Sequence, residues 1–401
     1  MTYRLLSRAL HLADKIVPRA LLPSLAPEAL IAAAGANPDT GARAGLAQLL
    51  DAIAADSPLS FFGHLSLRWD MIRLLRNAQQ IEAAHRSRPE LAAAPITAPV
   101  FILGLPRSGT SFLHALLARD EANLVPRCWQ TIYPRPRPVG FNPLLDRAAR
   151  TVDAQLKLFA HLAPGFAALH PINADSPQEC SEITAQVFQS LRFDTNFRVP
   201  AYKRWIEQRG YTESFAYHRK FLQFLQNGTA SRWVLKCPEH VFSLDAILQI
   251  YPDARFVLVH RDPISVLSSV ARLTEVLRAP FLRHIDPAEI AEQVSSCWID
   301  GANKLLEFDA RPDIPAQRKF HVHYEDLTSA PLAMVERLYA HFNLPFSKQA
   351  VTAMDRLLAE RPHGGYSRHA PYSLESFRLN PQALQAHFAP YISRYCQERG
   401  A

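Results

Sequence analysis

Between residues 99 and 120 the chain reads PVFILGLPRSGTSFLHALLARD. An apolar run breaks into Gly104-Leu105-Pro106-Arg107-Ser108-Gly109-Thr110-Ser111 before an amphipathic stretch begins. The two glycines permit close approach of the backbone to a ligand. Arg107 adds a fork-shaped charge, and Ser108, Thr110 and Ser111 add hydroxyl donors. Phe112, Leu113, Leu116 and Leu117 share one face, so the spacing predicts a helix from about Gly109. The unpaired N–H groups of its first turn and the positive end of its dipole make a ready anion site. In spacing this is G-x-x-x-x-G-T-S, a phosphate loop with Thr110 where a nucleoside triphosphatase carries lysine. That lysine reaches the β- and γ-phosphates, so a loop without it suits a shorter anion.

A second group lies in HRDPISVLSSV, where Ser269 follows Arg261 by eight positions (269 − 261). Asp262 suits a helix cap and Pro263 a first helical turn. About two turns of helix then bring Ser269 under the strand end on nearly the same face. An arginine fork and a hydroxyl on one face fit a phosphate monoester dianion. Two further stretches carry polar groups beside apolar runs: RWVLKCPEHVF, with Lys236 at the end of its run, and HYEDLTSAP, with Tyr324.

These four stretches, in their order along the chain, resemble the sulfotransferases that use 3′-phosphoadenosine 5′-phosphosulfate. GLPRSGTSFL is similar to their 5′-phosphosulfate loop, above all to the bacterial family whose loop reads P-R-S-G-T-[ST]. The resemblance covers most of the chain from about residue 100 and, more loosely, the N-terminal part. It implies that Arg107, Ser108, Gly109, Thr110 and Ser111 hold the phosphosulfate, that Arg261 and Ser269 hold the 3′-phosphate, and that Tyr324 lies near the adenine. RWVLKCPEHVF resembles a family strand ending in Lys-Ser-Pro-Glu-His, with Cys237 in place of serine. Lys236 would there bring a mobile positive charge to the sulfonate or the leaving oxygen. HAPYSLESF, near the C-terminus, resembles a Tyr-Ser-Leu-Glu-x-Phe stretch that helps close the site. The implied co-substrate is 3′-phosphoadenosine 5′-phosphosulfate, the acceptor a hydroxyl or amine of a small molecule, lipid or carbohydrate, and no metal is expected.

Sulfuryl transfer needs in-line positioning, charge stabilisation on the bridging oxygen and a base for the acceptor proton. Many family members carry Trp-Glu in the stretch matching RCWQTIYPRP, where this chain has Gln130. An amide is no general base at neutral pH. SPQECSEI offers Glu179 and Glu182 at (i, i+3) on one helical face, and His240 follows Cys-Pro-Glu. Glu179 is the first candidate base and His240 the second.

Positioning these groups calls for a sheet. Four apolar runs, VFILGL, WVLKC, RFVLVH and KFHVHY, are separated by helical stretches, the pattern of a parallel sheet buried on both faces. The expected fold class is α/β, a P-loop-type three-layer fold with helices on both sides of the sheet. Residues 1–95 read as an N-terminal helical cap and residues 96–401 as the sulfotransferase domain. Between the first two strands lies a mostly helical region, broken by the proline-rich YPRPRPVGFNP.

The 401 residues include 48% hydrophobic and 20% charged types, a globular composition, with a net charge of +7. The charge suits an anionic ligand, while finger spacings, RNP-like segments and dense Lys/Arg blocks are absent, so no nucleic-acid partner is expected. Five scattered cysteines without a C-x-x-C pair read as reduced thiols in a cytoplasm. The basic, amphipathic N-terminal segment suits weak contact with a membrane surface, with packing on the protein itself as the plainer alternative. The oligomeric state is left open by the sequence.

Two rival readings remain. A P-loop kinase or hydrolase would use Asp262, just beyond an apolar strand, to hold magnesium. A non-catalytic nucleotide-binding relative would explain Gln130. Other clusters are set aside. His321, His323 and Glu325 share a strand face, and His363 and His369 flank Gly364-Gly365 in a loop, but polar packing and a lid suit them better than metal binding. Tyr202, Trp205, Tyr211, Phe215 and Tyr217 have spacings typical of core aromatics.

Overall fold

The computed structural model describes residues 9–10, 12–228, 231–360 and 373–396. His363, His369 and the start of HAPYSLESF lie outside them. The chain forms two compact units, one of Met1–Pro95, Pro126–Thr229 and Leu273–Ile285, the other of Ile96–Val125, Ala230–Arg272 and Asp286–Ala401.

The second unit holds the sheet. Its strands are β1 (Val100–Gly104), β2 (Asn123–Leu124), β3 (Arg232–Lys236), β4 (Arg255–His260) and β5 (Lys319–His323). All pair in parallel, in the order β2-β3-β1-β4-β5. The four runs read from the sequence are four of these strands. The fifth, β2, is two residues long and too short to leave a periodic signature.

Alternation along the strands divides the core between two faces. Val100, Ile102, Val234, Val257, Val259 and Val322 pack with Leu113, Leu116 and Leu117 of the helix Thr110–Leu117 and with Met334, Val335 and Met354. On the other face Phe101 meets Tyr251 and Phe256, and Phe256 meets Phe308 of the helix Pro287–Asp309. Both faces are therefore covered, which is why the strands read as continuous apolar runs instead of alternating ones. In the middle of β5, His321 is engaged by His260 (2.9 Å) and Asp309 (3.2 Å). Burial lowers its pKa against the pull of Asp309. Among the described residues no group of His, Cys, Asp and Glu is arranged to hold a metal ion.

The first unit is helical. Pro27–Ala34, Thr40–Asp56, Phe61–Ser87 and Pro89–Ala93 occupy the N-terminal stretch, with side-chain caps from Asp39 and Ser60 starting the two long helices. The segments 126–229 and 273–285 belong to the same unit. Tyr202, Phe215 and Tyr217 are core residues here. Among the described residues no helix is long and apolar enough to cross a membrane.

Candidate active site

The parallel order puts the carboxyl ends of β3, β1, β4 and β5 side by side along one edge, where open α/β sheets receive ligands. Lys236 ends β3, the Gly104–Ser111 loop follows β1, Arg261 follows β4 and Tyr324 follows β5. Four stretches scattered over more than two hundred residues of sequence thus converge through strand register alone, with Gly104 opposite Val259 and His260 opposite His323.

The loop's shape depends on its glycines. Gly104 has φ +152°, and a Cβ there would lie 2.7 Å from the Val259 carbonyl oxygen and 2.9 Å from Ser108 Oγ. Gly109 has φ +95°, and a Cβ would press at 3.1 Å on both Tyr324 and Leu327. A side chain at Gly104 would collide with backbone, and one at Gly109 would be strained by its φ and crowd two neighbours. Arg107 is itself left-handed at φ +67°, so positive-φ residues flank Ser108. Such alternation turns successive N–H groups towards one point and makes an anion-binding hollow. Ser108 Oγ donates to the Leu105 carbonyl at 2.6 Å and locks the turn. Helical bonding begins with Phe112 and Leu113 donating to the Gly109 carbonyl, so the N–H groups of Thr110 and Ser111 belong to the open first turn.

Around this hollow the charged side chains meet. Arg107 Nε donates to Ser269 Oγ at 3.2 Å, and Arg261 donates to the Arg107 carbonyl at 2.8 Å. The Arg261 guanidinium also lies 3.9 Å above the centre of the Tyr324 ring, a cation–π contact. Burial and the Arg261 charge lower the pKa of Arg107, with the Tyr324 phenol opposing. Arginine stays charged nonetheless. Two guanidinium groups are thus held close enough to repel, a strain that a dianion between them would relieve. Lys236, only 3% exposed, donates from Nζ to Ser111 Oγ at 2.9 Å. Arg107, Ser108, Gly109, Thr110, Ser111, Lys236, Arg261, Ser269 and Tyr324 are therefore brought to one place.

His240 is placed differently. It is buried on the turn Pro238–Phe242, with its ring edge-on to Phe101 in the strand packing. Asp262, the carboxylate a kinase reading would need, accepts the Ile264 N–H at 2.9 Å and starts the helix Ile264–Arg278. His114 is not among the candidates; it is buried and donates from Nε2 to the Val234 carbonyl at 3.1 Å. This bond fastens the loop's helix to β3, two residues before Lys236. A histidine on an otherwise apolar helix face is the only trace of it in the sequence.

The remaining candidates belong to the first unit. Glu179 and Glu182 do not share a helical face, because the helix starts only at Ser181. Pro177 pairs with Arg127 in an antiparallel bridge and Gln178 donates to the Pro126 carbonyl, which keeps this segment extended. Glu182 is tied into an ion cluster. Arg192 grips both of its oxygens at 2.7 Å and also binds Asp70, while Arg73 holds Asp70 at 2.6 Å. Burial works to raise the Asp70 pKa, yet Arg192 and Arg73 hold it below its ordinary value. Glu179 is half-buried, and its N–H donates to Gln178 Oε1.

Gln130 has a structural task. Its Oε1 accepts from the Arg127 N–H at 3.2 Å and its Nε2 donates to the Arg135 carbonyl at 3.1 Å. A carboxylate can do the first and not the second. Gln130→Glu should lower unfolding free energy by about 1–3 kcal/mol, read from urea denaturation. A variant as stable as the parent would show that the amide is not needed there.

The chain is similar to known sulfotransferases. Omega-hydroxy-beta-dihydromenaquinone-9 sulfotransferase Stf3 of Mycobacterium bovis is 26% identical over 330 residues, 80% of each chain. Among solved structures, sulfotransferase STF1 from Mycobacterium tuberculosis is 28% identical with a TM-score of 0.79, covering 91% of this chain and 97% of that one. Sulfotransferase STF9 from Mycobacterium avium is 26% identical with a TM-score of 0.82, covering 93% and 96%. The sulfotransferase family model matches residues 99–348, a span that opens one residue before β1 and takes in all five strands with the loop, Lys236, Arg261, Ser269 and Tyr324, and on that match the chain belongs to the sulfotransferase family.

Proposed function

We propose that this sulfotransferase takes its sulfuryl group from 3′-phosphoadenosine 5′-phosphosulfate and passes it to a hydroxyl of a small molecule, lipid or carbohydrate. A lipid hydroxyl stands first among these, because Stf3 is named for a hydroxylated dihydromenaquinone. The observation that carries the donor is the contact of Arg107 with both Ser269 and Arg261. It makes one continuous cationic surface from the β1 loop to the start of the helix after β4. A nucleotide with anionic groups at both its 5′ and 3′ positions matches such a surface.

In this reading the N–H groups of the loop and Arg107 hold the phosphosulfate, Arg261 and Ser269 hold the 3′-phosphate, and Tyr324 lies beside the adenine. The acceptor oxygen forms a bond to sulfur as the bond from sulfur to the 5′-phosphate oxygen breaks. The electron pair stays on that phosphate oxygen, where Lys236 and the loop donors stabilise it. The acceptor proton passes to a base, for which Glu179 is the assignment. The catalytic domain begins near residue 96, which the family match from residue 99 supports. Among the described residues the five cysteines form no disulfide, which supports a reducing, cytoplasmic setting.

Arg261→Ala should weaken binding of adenosine 3′,5′-bisphosphate by about 10- to 100-fold, and binding of adenosine 5′-monophosphate far less, by calorimetry. An equal loss for both ligands would show that Arg261 does not read the 3′-phosphate. The activity is tested by incubating the protein with isotopically labelled donor and candidate acceptors, then seeking acceptors that gain SO₃ by mass spectrometry. Transfer without added magnesium is expected. Magnesium-dependent phosphate transfer from a nucleoside triphosphate would overturn the reading in favour of a kinase.

A further inference from the structure

The proline-rich run of the first unit forms a loop between the helices Cys128–Ile132 and Arg147–Leu162. Its base is closed by an ion pair between Arg135 and Asp146, and Asp146 also caps the following helix through the Ala149 N–H. Phe141 turns inward and stacks on Trp129, with ring centres 4.9 Å apart. The Arg137 guanidinium covers the Phe141 ring at 4.3 Å, and the Asn142 carbonyl accepts from both Leu145 and Asp146. The loop is therefore a built object pinned from within. On its outer side stand Val139, Leu144 and Leu145, which are 106%, 76% and 78% exposed. Three aliphatic side chains raised fully into solvent within seven residues, over an aromatic anchor, call for a partner.

Charge chooses the partner. Arg147 and Arg150 are exposed beside these tips, and Lys157 is exposed further along the same helix. The acidic groups nearby are engaged: Asp146 by Arg135, and Asp175 by Arg137 at 2.5 Å. Aliphatic tips among cations match the interface of an anionic bilayer, where apolar side chains enter the acyl boundary and arginines meet phosphate headgroups. A protein partner would more often meet exposed aromatic rings, and here the aromatics of the loop, Tyr133 and Phe141, pack inward on the cluster around Trp129. We propose that the loop of residues 137–147, with Arg150 behind it, is a docking surface for anionic phospholipid membranes. The exposed N-terminal residues Leu12, Ile16 and Leu21 are not part of it, and the proposal does not depend on the donor or the acceptor.

The test is co-sedimentation of the full chain with phosphatidylcholine vesicles, with and without phosphatidylglycerol. The protein should bind the mixed vesicles, less so as salt rises. Val139→Ser/Leu144→Ser/Leu145→Ser should lower the partition coefficient about a hundredfold, and Arg147→Ala/Arg150→Ala about tenfold. All five positions are exposed, so thermal melting should match the parent. Leu12→Ser/Ile16→Ser/Leu21→Ser should cost less than the loop triple. The proposal is overturned if the parent ignores mixed vesicles, or if the loop triple binds like the parent. It is also overturned if the N-terminal triple alone abolishes binding, or if the loop triple changes only the oligomeric state, which would make the loop a contact between copies of the chain.

Discussion

Replacing Lys236 by methionine should lower turnover by about two to three orders of magnitude while costing donor affinity only a few-fold. Lys236 ends β3 and is almost wholly buried, with its ammonium on Ser111 Oγ at the first turn of the loop's helix. Methionine nearly matches the length of the stem, so packing is kept and the charge is lost. A charge held there without solvent acts most strongly on whatever charge develops in the reaction. In the donor's ground state the bridging oxygen between sulfur and phosphorus carries little charge. As the sulfur–oxygen bond breaks, that oxygen becomes anionic, and it remains so in the product bisphosphate. Lys236→Met should therefore weaken the bisphosphate more than the donor and the rate most of all. Single-turnover rates with labelled donor, set beside calorimetric affinities for donor and bisphosphate, separate the three. A rate within about threefold of the parent, or one that falls no further than donor affinity, would remove Lys236 from the chemistry.

The parts of this edge that can be read in the sequence are those that local physics specifies. Gly104 and Gly109 stand where the backbone needs positive φ and where a Cβ would be crowded, and such positions restrict residue type strongly. The four long strands announce themselves because both faces of the sheet are covered. Strand order is another matter. That β1 lies between β3 and β4 follows from packing between segments more than a hundred residues apart, and no local pattern encodes it. The same limit explains Glu182. Spacing alone put it on a helix with Glu179, while its true partners are Arg192, ten residues on, and Arg73 and through them Asp70, more than a hundred residues away. His240 is a similar case, since a histidine after Cys-Pro-Glu is as consistent with an open cleft as with the flank of Phe101. Gln130 shows the converse. The sequence marks the missing carboxylate, and only the structure gives the reason, a carbonyl at Arg135 that needs a donor.

These placements narrow the search for the base. Gln130 cannot accept a proton at neutral pH, and both ends of its amide are engaged. Glu182 is held by Arg192 through both oxygens, so protonating it would break a buried ion cluster. His240 packs against a strand-interior phenylalanine. Cys128 is buried, and burial, with Glu182 nearby, pushes its thiol up to about 12, which leaves it inert near neutrality. Glu179 lies on an extended stretch ahead of its helix and is half-buried. Glu179→Gln preserves shape and removes basicity, so turnover should fall by about three orders of magnitude with donor affinity unchanged. Turnover of Glu179→Gln within about threefold of the parent would exclude Glu179 as the base.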